Sequence, residues 1–329
     1  MADPRILILP THPGVQYHFC RSGLPIWFLG HWDQFHYWRP QPANVQNVLP
    51  RFEDAQLDYG PEDFARLLDD RELVGWPERY DVAWLMFNWQ WKLFRDRPLA
   101  GKQGKKLYRV CKHAELERHE WEDLFSRDNW QVVSFYPNTV EWLREHMKVE
   151  VPYVPLGLDP DAYGPWEGLA SPKDEQVVLS IIHSYKERGW HHRSYLEAMR
   201  DVPHRHVDHL DDAQEKVSYD GLQHLLRRSR VYLHDGEQEY TITLIEALMT
   251  GMPIVSFRIP GIERYVVHGV NGFVGDDAKS IREHCRLLLE DDALAERMGR
   301  ESRAMALRDY HEARWAADWQ RILRDFAAK

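Results

Sequence analysis

Cysteine, long apolar runs and positive charge are all scarce in this chain. Its three cysteines, Cys20, Cys111 and Cys285, stand far apart in 329 residues. An odd, scattered set makes no disulfide framework and suits a reducing compartment. No stretch approaches membrane-spanning length, and the apolar run in the opening MADPRILILPTHPG is too short for a signal peptide. The expected location is therefore cytoplasmic, with peripheral contact at the inner face of a membrane left open. Lys and Arg number 42 against 52 Asp and Glu, a formal charge of -10. That balance argues against a groove for a nucleic-acid backbone, although a single nucleotide needs only one local cluster of cations. Repeats and low-complexity tracts are missing too. What remains is 43% apolar and long enough for two domains with separate cores, with 14 tryptophans concentrated in the first half.

The most informative stretch runs from Val231 to Asp276. An apolar run, Val231–Leu233, ends in an acidic loop, His234–Tyr240. A helical pattern then starts at Thr241–Thr243, with Leu244 and Leu248, and Ile245 and Met249, at i,i+4 spacing. Gly251 and Pro253 stop it, and Ile254–Phe257 reads as the next buried strand. This is a βαβ unit whose helix N-terminus offers unpaired N–H groups to an anion. Thr243-x-x-Glu246 also spells a capping box, which gives that carboxylate a purely structural reading.

Elsewhere, Arg5–Pro10, Pro25–Gly30, Tyr80–Phe87, Gln131–Phe135 and Gln176–Ile182 read as buried strands. Helical patterns cover Thr139–His146, Tyr219–Arg230, Ile281–Leu289, Leu294–Ala306 and Glu312–Phe326. The aromatic stretch His31–Arg39 suits either an acceptor pocket or a packed cluster. The basic run Lys102–Lys112 contains a strand and reads as a solvated sheet edge, the alternative being a face for an anionic acceptor or a membrane. His204, His206 and His209 are expected to be exposed rather than metal-binding, since His209 would fall on the opposite face of a strand. Asp159-Pro160-Asp161 reads as a turn, not a metal-binding carboxylate pair.

Two stretches resemble the GT-B fold glycosyltransferases of the retaining family 4 (glycosyl transferases group 1). One is the βαβ stretch, through Glu246-Ala247, Gly251-Met252-Pro253 and Gly269-Val270-Asn271-Gly272-Phe273. The other is the crossing segment Val151–Pro165, through Pro155, Gly157, Asp159, Tyr163 and Pro165. The resemblance implies an α/β protein with two facing Rossmann-like domains, a cleft between them and a C-terminal helix crossing back to the first. The boundaries would be residues 1–155 on the acceptor side, 156–308 on the nucleotide-sugar side and 309–329 for the helix.

It also implies a nucleotide diphosphate sugar as donor, retention of anomeric configuration, and no metal or other cofactor. The acceptor would be a glycan, a lipid-linked molecule or a small molecule. Gly14 would face the donor diphosphate, and His183, Lys186 and Arg188 would meet its charge. Glu246 would accept hydrogen bonds from the ribose diol, with Tyr240, Thr241, Ile242 and Thr243 beside it. His113, at the end of a strand, would face the transferred sugar. The family's first motif glutamate falls on Gln238, flanked by Glu237 and Glu239, and Glu239 occupies a glycine position. A second reading therefore stands beside transfer: a degenerate module that binds a nucleotide or sugar without catalysis, as a partner subunit.

Overall fold

A computed structural model describes residues 3–10, 13–35, 39–48, 80–96, 105–110, 112–164, 175–181, 190–207, 217–234 and 238–329. The chain divides into two compact units, residues 1–157 with 313–329, and residues 158–312.

In the first unit, β1 (Ile6–Ile8), β2 (Ile26–Phe28), β3 (Val45–Asn47), β4 (Val82–Leu85), β5 (Lys106–Val110) and β6 (Trp130–Ser134) form one parallel sheet, in the order β3-β2-β1-β4-β5-β6. Leu7 pairs with Trp27 on one side and Ala83 on the other, so β1 is central. Helices α1 (Pro13–Cys20), α2 (Trp32–Phe35), α3 (Asn88–Phe94), α4 (Arg118–Phe125) and α5 (Pro137–Trp142) connect the strands. The tryptophans explain themselves here. Trp91 meets Trp130 edge-on at 4.7 Å between ring centres, and Trp121 joins the same core. Trp32 is buried with its indole N–H donating to the Arg39 carbonyl at 2.9 Å, so Trp32 within the aromatic stretch is a packed residue.

The final helix, α11 (Glu312–Ala328), belongs to this unit. Its apolar stripe, Trp315, Trp319, Ile322, Leu323 and Phe326, is buried, as an i, i+4, i+7 pattern requires. Trp319 packs edge-on to Phe19 at 4.9 Å, and the Trp315 indole donates to the His18 carbonyl at 3.2 Å.

The basic run departs from expectation. β5 lies between β4 and β6, and Lys105, Lys106 and Arg109 are buried rather than set on a solvated edge. Aromatic faces accept their heads: the Lys106 ammonium lies 5.1 Å from the Trp130 ring centre and the Arg109 guanidinium 4.2 Å from that of Phe135. Burial lowers the Lys106 pKa to about 8. These three side chains thus form no basic face for an anionic acceptor or membrane.

In the second unit, β7 (Glu175–Ile181), β8 (His204–Val207), β9 (Ser229–His234), β10 (Ile254–Phe257) and β11 (Gly272–Gly275) form a parallel sheet ordered β11-β10-β9-β7-β8. Helices α6 (Trp190–Ala198), α7 (Tyr219–Arg228), α8 (Ile242–Met249), α9 (Ala278–Glu290) and α10 (Asp292–Asp309) accompany it. Strand β11 begins within the Gly269–Phe273 motif. A Cβ at Gly272 would stand 1.9 Å from the Ile254 carbonyl oxygen, so the glycine there marks close approach to β10. The unit's two ends pair: Leu158 N–H donates to the Tyr310 carbonyl at 2.8 Å, and Glu312 N–H to the Leu158 carbonyl at 3.0 Å.

Candidate donor site in the second unit

In a doubly wound sheet, ligands gather outside the carboxyl ends of the strands where the strand order reverses. In the second unit that reversal falls between β7 and β9, which end at Ile181 and His234. The candidate residues singled out in the sequence follow these very strands in the chain. His183, Lys186 and Arg188, after β7, and Glu237, after β9, lie outside the described residues.

The described part of the second loop is firmly held. His234 Nε2 donates to the Gln238 carbonyl at 2.6 Å, while the Gln238 side chain is half-buried. Glu239 is buried, and its carboxylate lies 3.4 Å from the Arg264 guanidinium. A glutamate in this place is accommodated because Arg264, from the segment after β10, meets its charge. Tyr240 is buried against Tyr265, ring centres 5.9 Å apart.

Thr241 caps α8: its Oγ1 accepts the Leu244 N–H at 3.1 Å. Glu246 is thereby the fifth helical residue, not the third, and the capping-box reading of Thr243 and Glu246 fails. Thr243 bonds elsewhere, its Oγ1 accepting from the Tyr232 hydroxyl at 2.9 Å and lying 3.2 Å from Thr241 Oγ1. Ile242 and Thr243 occupy the first two helical positions and are partly exposed, so the amide-bearing start of α8 is not sealed over.

Glu246 is 1% exposed, and its Oε1 accepts the Tyr163 hydroxyl at 2.7 Å. Tyr163 comes from the crossing segment, whose fold rests on two arginines absent from any sequence expectation. Arg303 on α10 donates to the carbonyls of Pro160 at 2.8 Å, Tyr163 at 3.3 Å and Met249. Arg227 on α7 donates to the Ala162 carbonyl. The turn is closed by Asp159 Oδ1, which accepts the Asp161 N–H at 2.9 Å. Downstream, Asn271 staples its own loop, accepting from Val267 N–H at 2.7 Å and donating to the Tyr265 carbonyl at 2.8 Å.

The remaining residues sit in the first unit. Gly14 is the second residue of α1. His113 follows β5 in a short 3-10 turn, with its ring stacked on Trp142 at 4.7 Å and His146 stacked beyond it at 4.8 Å. Desolvation, then the neighbouring His146, lowers the His113 pKa and favours the neutral ring. Among the described residues, no three His, Cys, Asp or Glu are placed to hold a metal ion, and no helix is long and apolar enough to cross a membrane. His206 Nδ1 lies 2.9 Å from the Ser180 hydroxyl; His209 lies outside the described residues.

Residues 213–305, which contain β9, α8, β10 and β11, match the family described as Glycosyl transferases group 1. The chain carries a group 1 glycosyltransferase domain. Solved structures extend the likeness beyond this group 1 domain. A sucrose-phosphate synthase from Thermosynechococcus elongatus is similar with a TM-score of 0.68 at 14% identity, over 99% of this chain and 100% of that one. A glycosyltransferase from Rickettsia africae gives 0.64 at 12% identity, over 99% of each chain. The Anabaena protein HepE, solved in complex with UDP-glucose, gives 0.63 at 13% identity over 98% and 100%. At such identities the likeness establishes the fold: two Rossmann-like α/β units of the GT-B type, with the last helix on the first. No curated protein matches the chain by sequence.

Proposed function

We propose that the protein transfers a sugar from a nucleoside diphosphate sugar to an acceptor still to be identified, with retention and without a metal. The observation that carries this reading is Glu246: a carboxylate buried in the first turns of α8, beside the strand-order reversal, inside the group 1 domain. A carboxylate there suits a ribose diol, since it accepts from two hydroxyls at once. Amides at the start of α8, with His183, Lys186 and Arg188 on the loop after β7, would offset the diphosphate charge as it leaves. Gly14, Glu237, Tyr240, Thr241, Ile242 and Thr243 would complete the donor contacts. His113, Gln238 and Glu239 would face the sugar. Similarity to HepE, solved with UDP-glucose, makes uridine diphosphate sugars the first donors to test.

Thermal-shift titration with UDP, GDP, ADP, CDP and dTDP and their sugar conjugates, with and without EDTA, tests the reading. Saturation at a hundred times Kd stabilises the folded state by about 2.7 kcal/mol. The expected result is a shift with one base, unchanged by EDTA and lost in Glu246→Ala. Absence of any shift would overturn the donor site.

One observation favours the second reading, a nucleotide-binding module without transfer. Gln238 brings no negative charge, and that of Glu239 is met by Arg264. Donor hydrolysis decides between the two: turnover that vanishes in Glu246→Ala supports the enzyme, and tight nucleotide binding without hydrolysis or transfer supports the module.

A further inference from the structure

We infer that Tyr163 is a positioning residue for the donor's ribose, acting through Glu246; the inference rests on the donor-site reading above. Tyr163 is fully buried and its hydroxyl is 2.7 Å from Glu246 Oε1. A phenol has one proton, and here Glu246 receives it. The Tyr219 hydroxyl, 3.3 Å from that of Tyr163, is therefore the donor in the second bond. The result is a directed chain, Tyr219 to Tyr163 to Glu246, in which each bond polarises the next.

This chain restricts rotation about the last side-chain torsion of Glu246, which is broad and weakly held on its own. A carboxylate offers about four lone-pair sites, of which the Tyr163 hydroxyl uses one. The phenol is itself held. Tyr163 N–H donates to the Asp159 carbonyl at 3.2 Å, and Arg303 joins the Pro160 and Tyr163 carbonyls to that of Met249 at the far end of α8. The turn carrying Tyr163 and the helix carrying Glu246 are thus tied at two points of α8, Glu246 and Met249.

The test compares a nucleoside diphosphate with its 2′,3′-dideoxy counterpart, beginning with UDP, in wild type, Tyr163→Phe, Tyr219→Phe and Glu246→Gln. Tyr163→Phe keeps the ring and removes only the bond. It should weaken the ribose nucleotide by about tenfold, as expected for loss of a hydrogen bond to a charged group, and change the dideoxy nucleotide by less than about twofold. Tyr219→Phe should lie between wild type and Tyr163→Phe. In the Glu246→Gln background Tyr163→Phe should add little further loss, since the two residues act as one unit. Equal weakening of both nucleotides, or no weakening, overturns the role of Tyr163 and leaves the donor site standing. If wild type binds none of UDP, GDP, ADP, CDP or dTDP, the donor site falls and this inference with it.

Discussion

Arg303 makes three hydrogen bonds that no other side chain of its size can reproduce. Its fork reaches the carbonyls of Pro160, Tyr163 and Met249, and burial lowers its pKa against the pull of Asp161. Arg303→Met keeps the stem and strands the carbonyls, so the second unit should lose about 2–3 kcal/mol in urea titration. Arg264→Ala should cost about 2 kcal/mol by removing a cation that meets the buried Glu239 carboxylate, and adding Glu239→Gly should recover most of it. His18 sets a pH limit on the first unit. It is buried beside Arg39 and Arg21, and desolvation first, then both arginines, hold its pKa well below 6.5. The Arg39 guanidinium lies 3.3 Å from His18 Nε2, which suits a neutral ring accepting that bond. The unfolded chain takes a proton near pH 6.5 that the folded one refuses, so this contribution is complete above that pH and declines below it. The slope is at most about 1.4 kcal/mol per pH unit. Melting temperatures from pH 7.5 to 5 should fall, and His18→Gln should flatten the fall.

At the scale of elements, the cap and the close strand contact make opposite demands. Thr241→Ala removes the cap of α8 and should cost about 1 kcal/mol, with nucleotide affinity falling as the helix start loosens. Gly272→Ala cannot be absorbed, because the new Cβ would enter the Ile254 carbonyl; a loss of at least about 3 kcal/mol is expected by denaturant titration. These elements also mark what could be read from sequence. β4 is an uninterrupted apolar run, β9 carries one at Val231–Leu233 and β10 is broken by Ser256 alone; all three are buried on both faces, and β10 begins and ends at the expected residues. β3 is three residues with an exposed centre, and β11 opens and closes on glycine, so neither carries an apolar signature. β5 misleads for another reason: lysine and arginine announce solvent in a sequence, whereas here the aromatic faces of Trp130 and Phe135 receive the heads of Lys106 and Arg109. Glu246 could be singled out because its helix, glycine stop and following strand are contiguous. Tyr163 could be placed in the crossing pattern, but not against Glu246, since their bond spans 83 residues.

On the scale of the whole molecule, the second unit is one continuous segment, residues 158–312, and the first is two pieces. The segment's ends meet at Leu158 and His311, while Arg314 donates to the Pro155 carbonyl at 3.1 Å on the other side of the cut. Residues 158–312 expressed alone should therefore fold, with a cooperative melt and dispersed amide resonances. Removing residues 313–329 should collapse the first unit, which would lose the ring contacts of Phe19 and Trp84 with Trp319 and of Phe135 with Trp315. Trp319→Ala alone should cost about 3–5 kcal/mol.

That arrangement reverses the order of completion during synthesis. Domains fold as units while the chain emerges from the ribosome. The first unit, residues 1–157 with 313–329, lacks Trp315 and Trp319 until residues 313–329 are translated. The second unit, begun at residue 158, has all its chain once residue 312 is out. The half that starts first must stay open longest, holding its tryptophan-rich sheet incomplete while its successor closes. A nascent chain stalled just before residue 313 would carry a finished second unit and a first unit still exposed to protease.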